Sequence, residues 1–420
     1  MDQASSINFP ALAAADAEFA KFYEETKGKG GLDFFDKATQ QALTKATLRV
    51  HHGLELVLPD DRLCPPIPNR NIYVSWIKNL IDSTNPDYSA KYDPERKVVG
   101  LDIGTGASAI YTLLLLNQRP NWIMCATEVD TKSFNYAIQN ISLNSFGPRT
   151  KPLLTIGSNA AIPFHYLGVP HLDFTVCNPP FFETVAEMRR SLAGDGKAKP
   201  PYSISNAAPN EMLCPGGDLG FVTKMVNESL ALKEKVTWFT TMFGKLESAK
   251  AIIKLLQQHG IENWAVGCIE PGGHTKRWVV GWSFGDYRPH NVHFISIAYR
   301  HEYLPFPTQY RIDLTSKYSL KDAKATVNEQ LSSLDLEWRW DEATSSGVGI
   351  ASQNVWNRQY RRQKQKQHMA KTSEIQGQSM TQRDNSIGMT KEIIIDWLRG
   401  TNRTLWESLC GLMHRKFKVN

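Results

Sequence analysis

Apolar residues in the first 90 positions recur at helical spacing, whereas from about residue 96 they come in short continuous runs separated by amphipathic stretches. Residues 11–25 predict one helix, stopped by Lys27-Gly28-Lys29-Gly30-Gly31, and residues 36–50 a second with Asp36 as N-cap. Pro65-Pro66-Ile67-Pro68 breaks the chain, and Tyr73, Trp76, Ile77 and Leu80 then share a helical face. The later runs predict strands at 98–103, 122–127, 153–156, 172–177 and 236–242. Helices are expected at 132–143, 221–233 and 249–259, with a terminal strand pair at 264–269 and 278–284. Strand–helix alternation of this kind predicts a doubly wound α/β sheet, which binds ligands beyond the carboxyl ends of its strands.

The pattern changes after about residue 290. Strand-like pieces at 310–314 and 336–340 flank a helix at 320–334, and a strand at 393–398 leads to a last helix at 402–416. Residues 341–390 are polar and rich in Ser, Gln and Arg, which predicts an α+β module interrupted by a flexible loop. Arg358, Arg361, Arg362, Lys364, Lys366 and Lys371 give that loop a basic stretch, an RNA arm, a nuclear import signal or a plain linker. The expected organisation is a helical N-terminal extension over 1–90, an α/β domain over 91–289 and the α+β module over 290–420.

Composition narrows the class. The chain has 420 residues, 41% hydrophobic and 21% charged, with a formal charge of +6. That is a globular protein with a basic balance suited to a polyanionic partner. Its six cysteines are widely spaced, with no C-x-x-C pair, which predicts reduced thiols and no zinc cluster. No apolar run is long enough to span a bilayer, and the acidic N-terminal stretch has no signal-like apolar core.

The candidate chemistry lies at strand ends. Asn178-Pro179-Pro180-Phe181 follows the run 172–177. A planar amino group such as adenine N6 is a poor nucleophile because its lone pair is delocalised into the ring. An Asn side-chain carbonyl and a Pro backbone carbonyl can accept its two hydrogens while an aromatic ring stacks on the base. Taken alone, Asn-Pro-Pro is also an ordinary turn. Gly104-Thr105-Gly106 ends the first strand and opens a helix, as a backbone turn that approaches a ligand closely must. A phosphate site is the alternative for this turn, but it lacks the third spaced glycine and the Walker lysine. Glu128 ends the second strand, where an acid can accept hydrogen bonds from ribose hydroxyls. Doubly wound topology brings these three strand ends to one crevice.

These motifs resemble the methyltransferase-like 16 family of RNA adenine-N6 methyltransferases, which acts on U6 small nuclear RNA and shares its catalytic fold with a bacterial large-subunit rRNA enzyme. The resemblance is carried by Arg62 through Pro68, Arg70, Tyr73 and Trp76; by Gly100 through Tyr111; and by Ala126-Thr127-Glu128-Val129-Asp130 with Phe134 through Ala137. It continues in Cys177 through Phe182, Pro215 through Val222, Arg277-Trp278 and Trp282-Ser283-Phe284, so that it covers about residues 60–285. It implies a Rossmann-like, class I S-adenosylmethionine-dependent methyltransferase, with S-adenosylhomocysteine as product and no metal. It further implies cofactor contacts from Arg70, Asp102, Gly104, Thr105, Gly106, Glu128, Ser158 and Asn178, and catalysis by Asn178, Pro179, Pro180 and Phe181. Gly157 stands where the family carries a lysine, so the resemblance does not extend to a lysine-bearing, cofactor-occluding loop. Direct transfer from a sulfonium needs neither a metal nor a strong base. Arg189, Arg190, Lys197, Lys199, Lys276 and Arg277 are candidate RNA contacts beside the pocket. The implied partner is structured RNA, with U6 small nuclear RNA first and ribosomal RNA second; the 1–90 extension is expected to contribute to the RNA and cofactor sites and the 290–420 module to bind RNA, and the implied location is the nucleus, with the cytoplasm also open. A protein-glutamine methyltransferase, which usually carries Tyr after Asn-Pro-Pro, a DNA adenine methyltransferase and a catalytically silent RNA-binding factor are the remaining alternatives.

Overall fold

A computed structural model describes residues 7–27, 31–34, 36–89, 91–155, 160–192, 207–271, 276–290, 301–314, 318–357, 359–360, 376–381 and 391–417. The chain divides into two compact units. One takes its described residues from Met1–Asn79, Asp93–Gly285 and Ile295–Leu304; the other takes them from Leu80–Tyr92, Asp286–Phe294 and Pro305–Asn420.

The first unit begins with helices. The single helix expected over 11–25 is two, α1 (Phe9–Ala15) and α2 (Ala17–Lys27). The break is Asp16, which is extended (φ −129°) and accepts the Phe19 N–H through Oδ1 at 2.7 Å. Its other oxygen takes Arg49 Nε at 2.7 Å, and this arginine holds the carboxyl below its ordinary range. A residue that caps the second helix and pairs with a distant arginine cannot continue the first. Helix α3 (Lys37–His52) starts at Asp36, whose side chain accepts the Thr39 N–H, and stops at Gly53 in the left-handed conformation. Helix α4 (Ile67–Ser83) begins inside the proline cluster, with Pro68 in its first turn, where a missing N–H costs nothing.

The α/β part follows as β1 (Val98–Ile103), α5 (Ile110–Gln118), β2 (Trp122–Glu128), α6 (Thr131–Leu143), β3 (Thr150–Leu154) and β4 (Leu172–Cys177). Next come α7 (Val185–Leu192), α8 (Pro209–Met212), α9 (Gly217–Leu232), β5 (Val236–Phe243), α10 (Leu246–Gln258), β6 (Asn263–Ile269) and β7 (Arg277–Ser283). The seven strands form one sheet in the order β3-β2-β1-β4-β5-β7-β6. The first five are parallel, and β7 runs antiparallel between β5 and β6. The terminal pair read from the sequence is therefore inserted, with the later strand inside. Central strands β1 and β4 are buried at all but one position each, as a sheet covered on both faces demands. Gly100 in β1 is required by packing: a Cβ there would lie 2.3 Å from the Phe174 ring and 2.7 Å from Met124 Sδ.

The second unit holds a five-stranded antiparallel sheet, β8-β12-β11-β10-β9, made of β8 (Gln309–Asp313), β9 (Glu337–Asp341), β10 (Ser346–Ala351), β11 (Gln376–Thr381) and β12 (Glu392–Asp396). Helix α11 (Leu320–Ser332) and the final helix Arg403–Phe417 supply its core with Val327, Leu331, Trp406 and Met413. Trp397 and Trp406 stack at 5.8 Å. The polar stretch 341–390, whose composition predicts a loop, contributes β10 and β11 instead. In β10 the glycines Gly347 and Gly349 alternate with Val348 and Ile350, and Cβ atoms at the two glycines would meet the Trp338 ring at 2.3 and 3.3 Å. The pattern has period two, but its buried face carries almost no side chain, so hydropathy does not register it. Arg358, Arg361, Arg362, Lys364, Lys366 and Lys371 lie outside the described residues.

Candidate active site

Strand β1 ends in a turn built by glycine. Gly104 and Gly106 both have φ +66°, and the Thr105 N–H donates to the Thr127 carbonyl of β2 at 2.8 Å. Asp102 holds this turn from below. Its Oδ2 accepts Thr105 Oγ1 at 2.7 Å, Thr112 Oγ1 at 3.0 Å and the Thr112 N–H at 3.3 Å, which ties the turn to the first turn of α5. Its Oδ1 is buried without a partner among the described residues, and burial pushes the carboxyl up to about 6. Asp102 does not line the cavity above the turn, so among the expected cofactor contacts it is instead a support for Thr105 and α5.

That cavity has a volume of about 480 Å³ and opens between the carboxyl ends of β1, β2 and β4. Gly104 faces open space, since a Cβ there would meet no atom within 4 Å. Glu128 is 6% exposed, and its carboxylate organises the rim. Oε2 accepts the Gly106 N–H at 2.9 Å, and Oε1 accepts the N–H groups of Val129 at 2.8 Å and Asp130 at 2.9 Å. Oε2, with one donor, keeps capacity for one further donor from a ligand.

Arg70, from the first turn of α4, enters the same cavity and is 5% exposed. Its Nη1 donates to Tyr111 Oη at 2.9 Å and to Asn178 Oδ1 at 3.3 Å, and its Nε is buried with no partner among the described residues. Tyr111 stands edge-on to Tyr73 at 5.5 Å, and Tyr73 Oη shares a hydrogen with Thr240 Oγ1 at 2.7 Å. Burial pushes the Tyr111 hydroxyl up to about 12. The Thr240 N–H donates to Thr175 Oγ1 at 3.0 Å just beyond the point where β4 and β5 are last paired, at Phe174 and Trp238. Hydroxyls thus satisfy the backbone where the strands part behind Asn178. Arg277, at the start of β7, is half-buried. Burial and the neighbouring Arg70 charge lower its pKa, and it makes no ion pair among the described residues.

Asn178, Pro179 and Pro180 line the cavity at the end of β4. The chain beyond them is fastened to residues 212–214: the Phe182 N–H donates to the Met212 carbonyl at 2.9 Å and the Cys214 N–H to the Phe182 carbonyl at 3.0 Å. Phe181 is half-buried beside this zipper, 6.3 Å from Phe182, outside the cavity wall. Gly217 opens α9 in the left-handed conformation (φ +61°), and Gly220 permits a close approach, because a Cβ there would lie 2.3 Å from the Pro215 carbonyl oxygen.

Three residues that motif reading passed over also shape the site. Glu211 lines the cavity, and its Oε2 accepts the N–H groups of Ala208 at 2.7 Å and Leu63 at 3.0 Å. Its only sequence signal is capping-box spacing, three residues after Ala208. Glu228 on α9 accepts the N–H groups of Ala161 and Ile162 at 2.9 and 2.8 Å and so holds a lining segment. Lys224, exposed on α9, stands at the cavity lip. The expected RNA contacts separate. Arg189 and Arg190 are exposed in the last turn of α7, whereas Lys276 is paired with Glu270 at 2.7 Å. Gly157, Ser158, Lys197 and Lys199 lie outside the described residues.

The cavity fits the cofactor implied by the resemblance. A buried guanidinium with an unpartnered Nε suits a carboxylate, an open Gly turn admits an amino-acid chain, and Glu128 suits ribose hydroxyls. Among the described residues no group of three His, Cys, Asp or Glu side chains could hold a metal ion.

The chain matches an RNA methyltransferase family profile over residues 2–286. It is 30% identical over 401 residues to the Schizosaccharomyces pombe U6 small nuclear RNA (adenine-(43)-N(6))-methyltransferase, covering 94% of this chain and 98% of that protein. It is 34% identical over 284 residues to the Danio rerio RNA N(6)-adenosine-methyltransferase mettl16, covering 66% of this chain and 57% of that one. The chain thus spans nearly all of the yeast relative and little more than half of the fish one. Among solved structures, the hMettl16 catalytic domain in complex with MAT2A 3′UTR hairpin 6 matches with TM-score 0.56 and 31% identity, over 67% of this chain and 94% of that one. The N-terminal domain of human METTL16 in complex with SAH matches with TM-score 0.52 and 29% identity, over 67% of this chain and 96% of that one. The chain therefore belongs to this family of S-adenosylmethionine-dependent RNA adenine-N6 methyltransferases.

Proposed function

We propose that the protein transfers a methyl group from S-adenosylmethionine to N6 of an extruded adenosine in RNA, that the RNA is U6 small nuclear RNA, and that the reaction takes place in the nucleus. The observation that carries this reading is that Asn178, Arg70, Gly104 and Glu128 line one cavity at the carboxyl ends of β1, β2 and β4. The U6 assignment is supported by the yeast relative, which covers nearly the whole chain.

S-adenosylmethionine, when bound, supplies a methyl group on a sulfonium that leaves as a neutral thioether. The residues supply position and charge. Arg70 would hold the methionine carboxylate, the Gly104–Gly106 turn the chain behind it, and Glu128 the ribose. Asn178 Oδ1 now accepts a hydrogen from Arg70. Pairing of Arg70 with a carboxylate frees that oxygen for one N6 hydrogen, and the Pro179 carbonyl takes the other. Accepting these hydrogens favours the positive character that N6 gains as it attacks, and holding the amine in line converts a bimolecular step into a unimolecular one. Phe181 lies next to this pocket, where its ring can stack on a base turned out of an RNA strand. Arg189 and Arg190, exposed on α7 just after the motif, can meet phosphates as point charges.

The test is Asn178→Ala. A hairpin carrying an unpaired adenosine and a labelled methyl donor should show transfer lowered by about 10²–10³-fold, with an unchanged melting temperature. Wild-type turnover by this variant would refute the assignment. Mass spectrometry of U6 and of large-subunit ribosomal RNA from a deletion strain identifies the substrate, with loss of N6-methyladenosine expected in U6.

A further inference from the structure

We infer that Glu211 is a second acid of the cofactor cavity, whose Oε1 accepts a hydrogen bond from a ribose hydroxyl; the inference rests on the reading of this cavity as the S-adenosylmethionine site. The two oxygens of Glu211 are used differently. Oε2 takes the N–H groups of Ala208 at 2.7 Å and Leu63 at 3.0 Å, and so joins two wall segments 148 residues apart in the chain. Oε1 has no hydrogen-bond partner among the described residues and lies beside the Gly turn, where a Cβ on Gly106 would be 4.0 Å from it. The Gly106 N–H in turn donates to Glu128 Oε2. Glu211 and Glu128 therefore flank the same glycine on the wall of one cavity.

This arrangement is more than a helix cap. The backbone bonds at Ala208 and Leu63 use Oε2 alone, and a glutamine oxygen would serve them equally. A carboxylate instead brings a second negative charge toward Glu128. Burial raises the Glu211 pKa, the Ala208 and Leu63 N–H groups and Arg62 offset it only in part, and the Glu128 charge adds a smaller upward push. A ligand with two adjacent hydroxyls resolves the conflict, because each hydroxyl donates one hydrogen to one acid. The ribose end is favoured over the methionine end because the methionine carboxylate is drawn to Arg70, whose contacts are Tyr111 and Asn178 rather than Gly106.

Glu211→Gln keeps an oxygen for the two backbone donors and replaces the free acceptor with a donor. Calorimetric titration of the full chain with S-adenosylhomocysteine and with 5′-methylthioadenosine, which lacks the amino-acid end, separates the alternatives. The expected result is about tenfold weaker binding of both ligands, with the ligand-free melting temperature close to wild type. Wild-type affinity for both would overturn the assignment, as would a loss confined to S-adenosylhomocysteine. If the glutamine variant fails to fold, Glu211→Asp keeps the charge and withdraws it from the turn, and it should show the same paired loss; wild-type affinity there would overturn the assignment. Failure of the wild-type protein to bind S-adenosylhomocysteine would instead refute the reading of the cavity itself.

Discussion

The two sheets of this protein put their polar groups to opposite uses. In the seven-stranded sheet, buried charge gathers at one edge: Asp102, Glu128 and Arg70 are all under 9% exposed and lie at or beside the ends of β1, β2 and β4. In the five-stranded sheet, polar side chains are spread and paired locally, as in Arg311 Nη1 with Glu392 at 3.1 Å and Gln309 with Asp396 at 2.8 Å. The cause is strand direction. Parallel strands bring every carboxyl end to the same edge, so turn glycines and strand-end acids converge. Antiparallel strands alternate their ends, and no edge collects them. The first sheet therefore gathers buried charge at one edge, whereas the second pairs its polar groups locally.

The sharpest way to test this contrast is to damage each sheet and read both properties. Trp397→Ala removes a fully buried indole from the second unit and should cost about 3–5 kcal/mol of stability, read by denaturant unfolding. S-adenosylhomocysteine affinity of the folded protein should stay at the wild-type value, and a parallel loss of affinity would break the comparison. Arg70→Ala should do the reverse. It should weaken S-adenosylhomocysteine binding by about 2 kcal/mol in a titration, since it removes a charge-assisted pair with a carboxylate. Unchanged affinity would show that the carboxylate binds elsewhere.

Asp102 gives a subtler test, because its burial creates a pH dependence. Its folded pKa, about 6, is above the ordinary carboxyl value. It therefore contributes stability when protonated, and that contribution is lost as pH rises through about 6. Relative to Asp102→Asn, the wild-type protein should gain about 1 kcal/mol of stability between pH 7 and pH 5, and the gap should be flat above pH 7. A gap that shrinks on acidification would contradict the buried-acid account. The smallest expected effect is at the surface. Reversal of Arg189 and Arg190 to Glu should weaken RNA binding and lower its salt slope by about one for each phosphate no longer neutralised. An unchanged slope would show both arginines to be ordinary solvated charge.

Much of the catalytic unit is legible because its signals are local. The apolar runs of β1 and β4, the turn at Gly104 and Gly106 and the tetrapeptide from Asn178 all declare themselves within a few residues. Asp36 as a helix cap is equally local. Asp16 is not, because its role depends on Arg49, 33 positions away. Strand β10 escapes because its buried face is glycine covered by Trp338.

The chain by itself determined most elements of the seven-stranded sheet and which residue types reach its strand ends, since periodicity, turn glycines and proline act over short range. Tertiary structure alone decided the partnerships of Arg70 with Asn178 and of Glu211 with Leu63. Each of these joins elements that meet only when the sheet closes, and a hydrogen bond or a shifted pKa exists only at that separation.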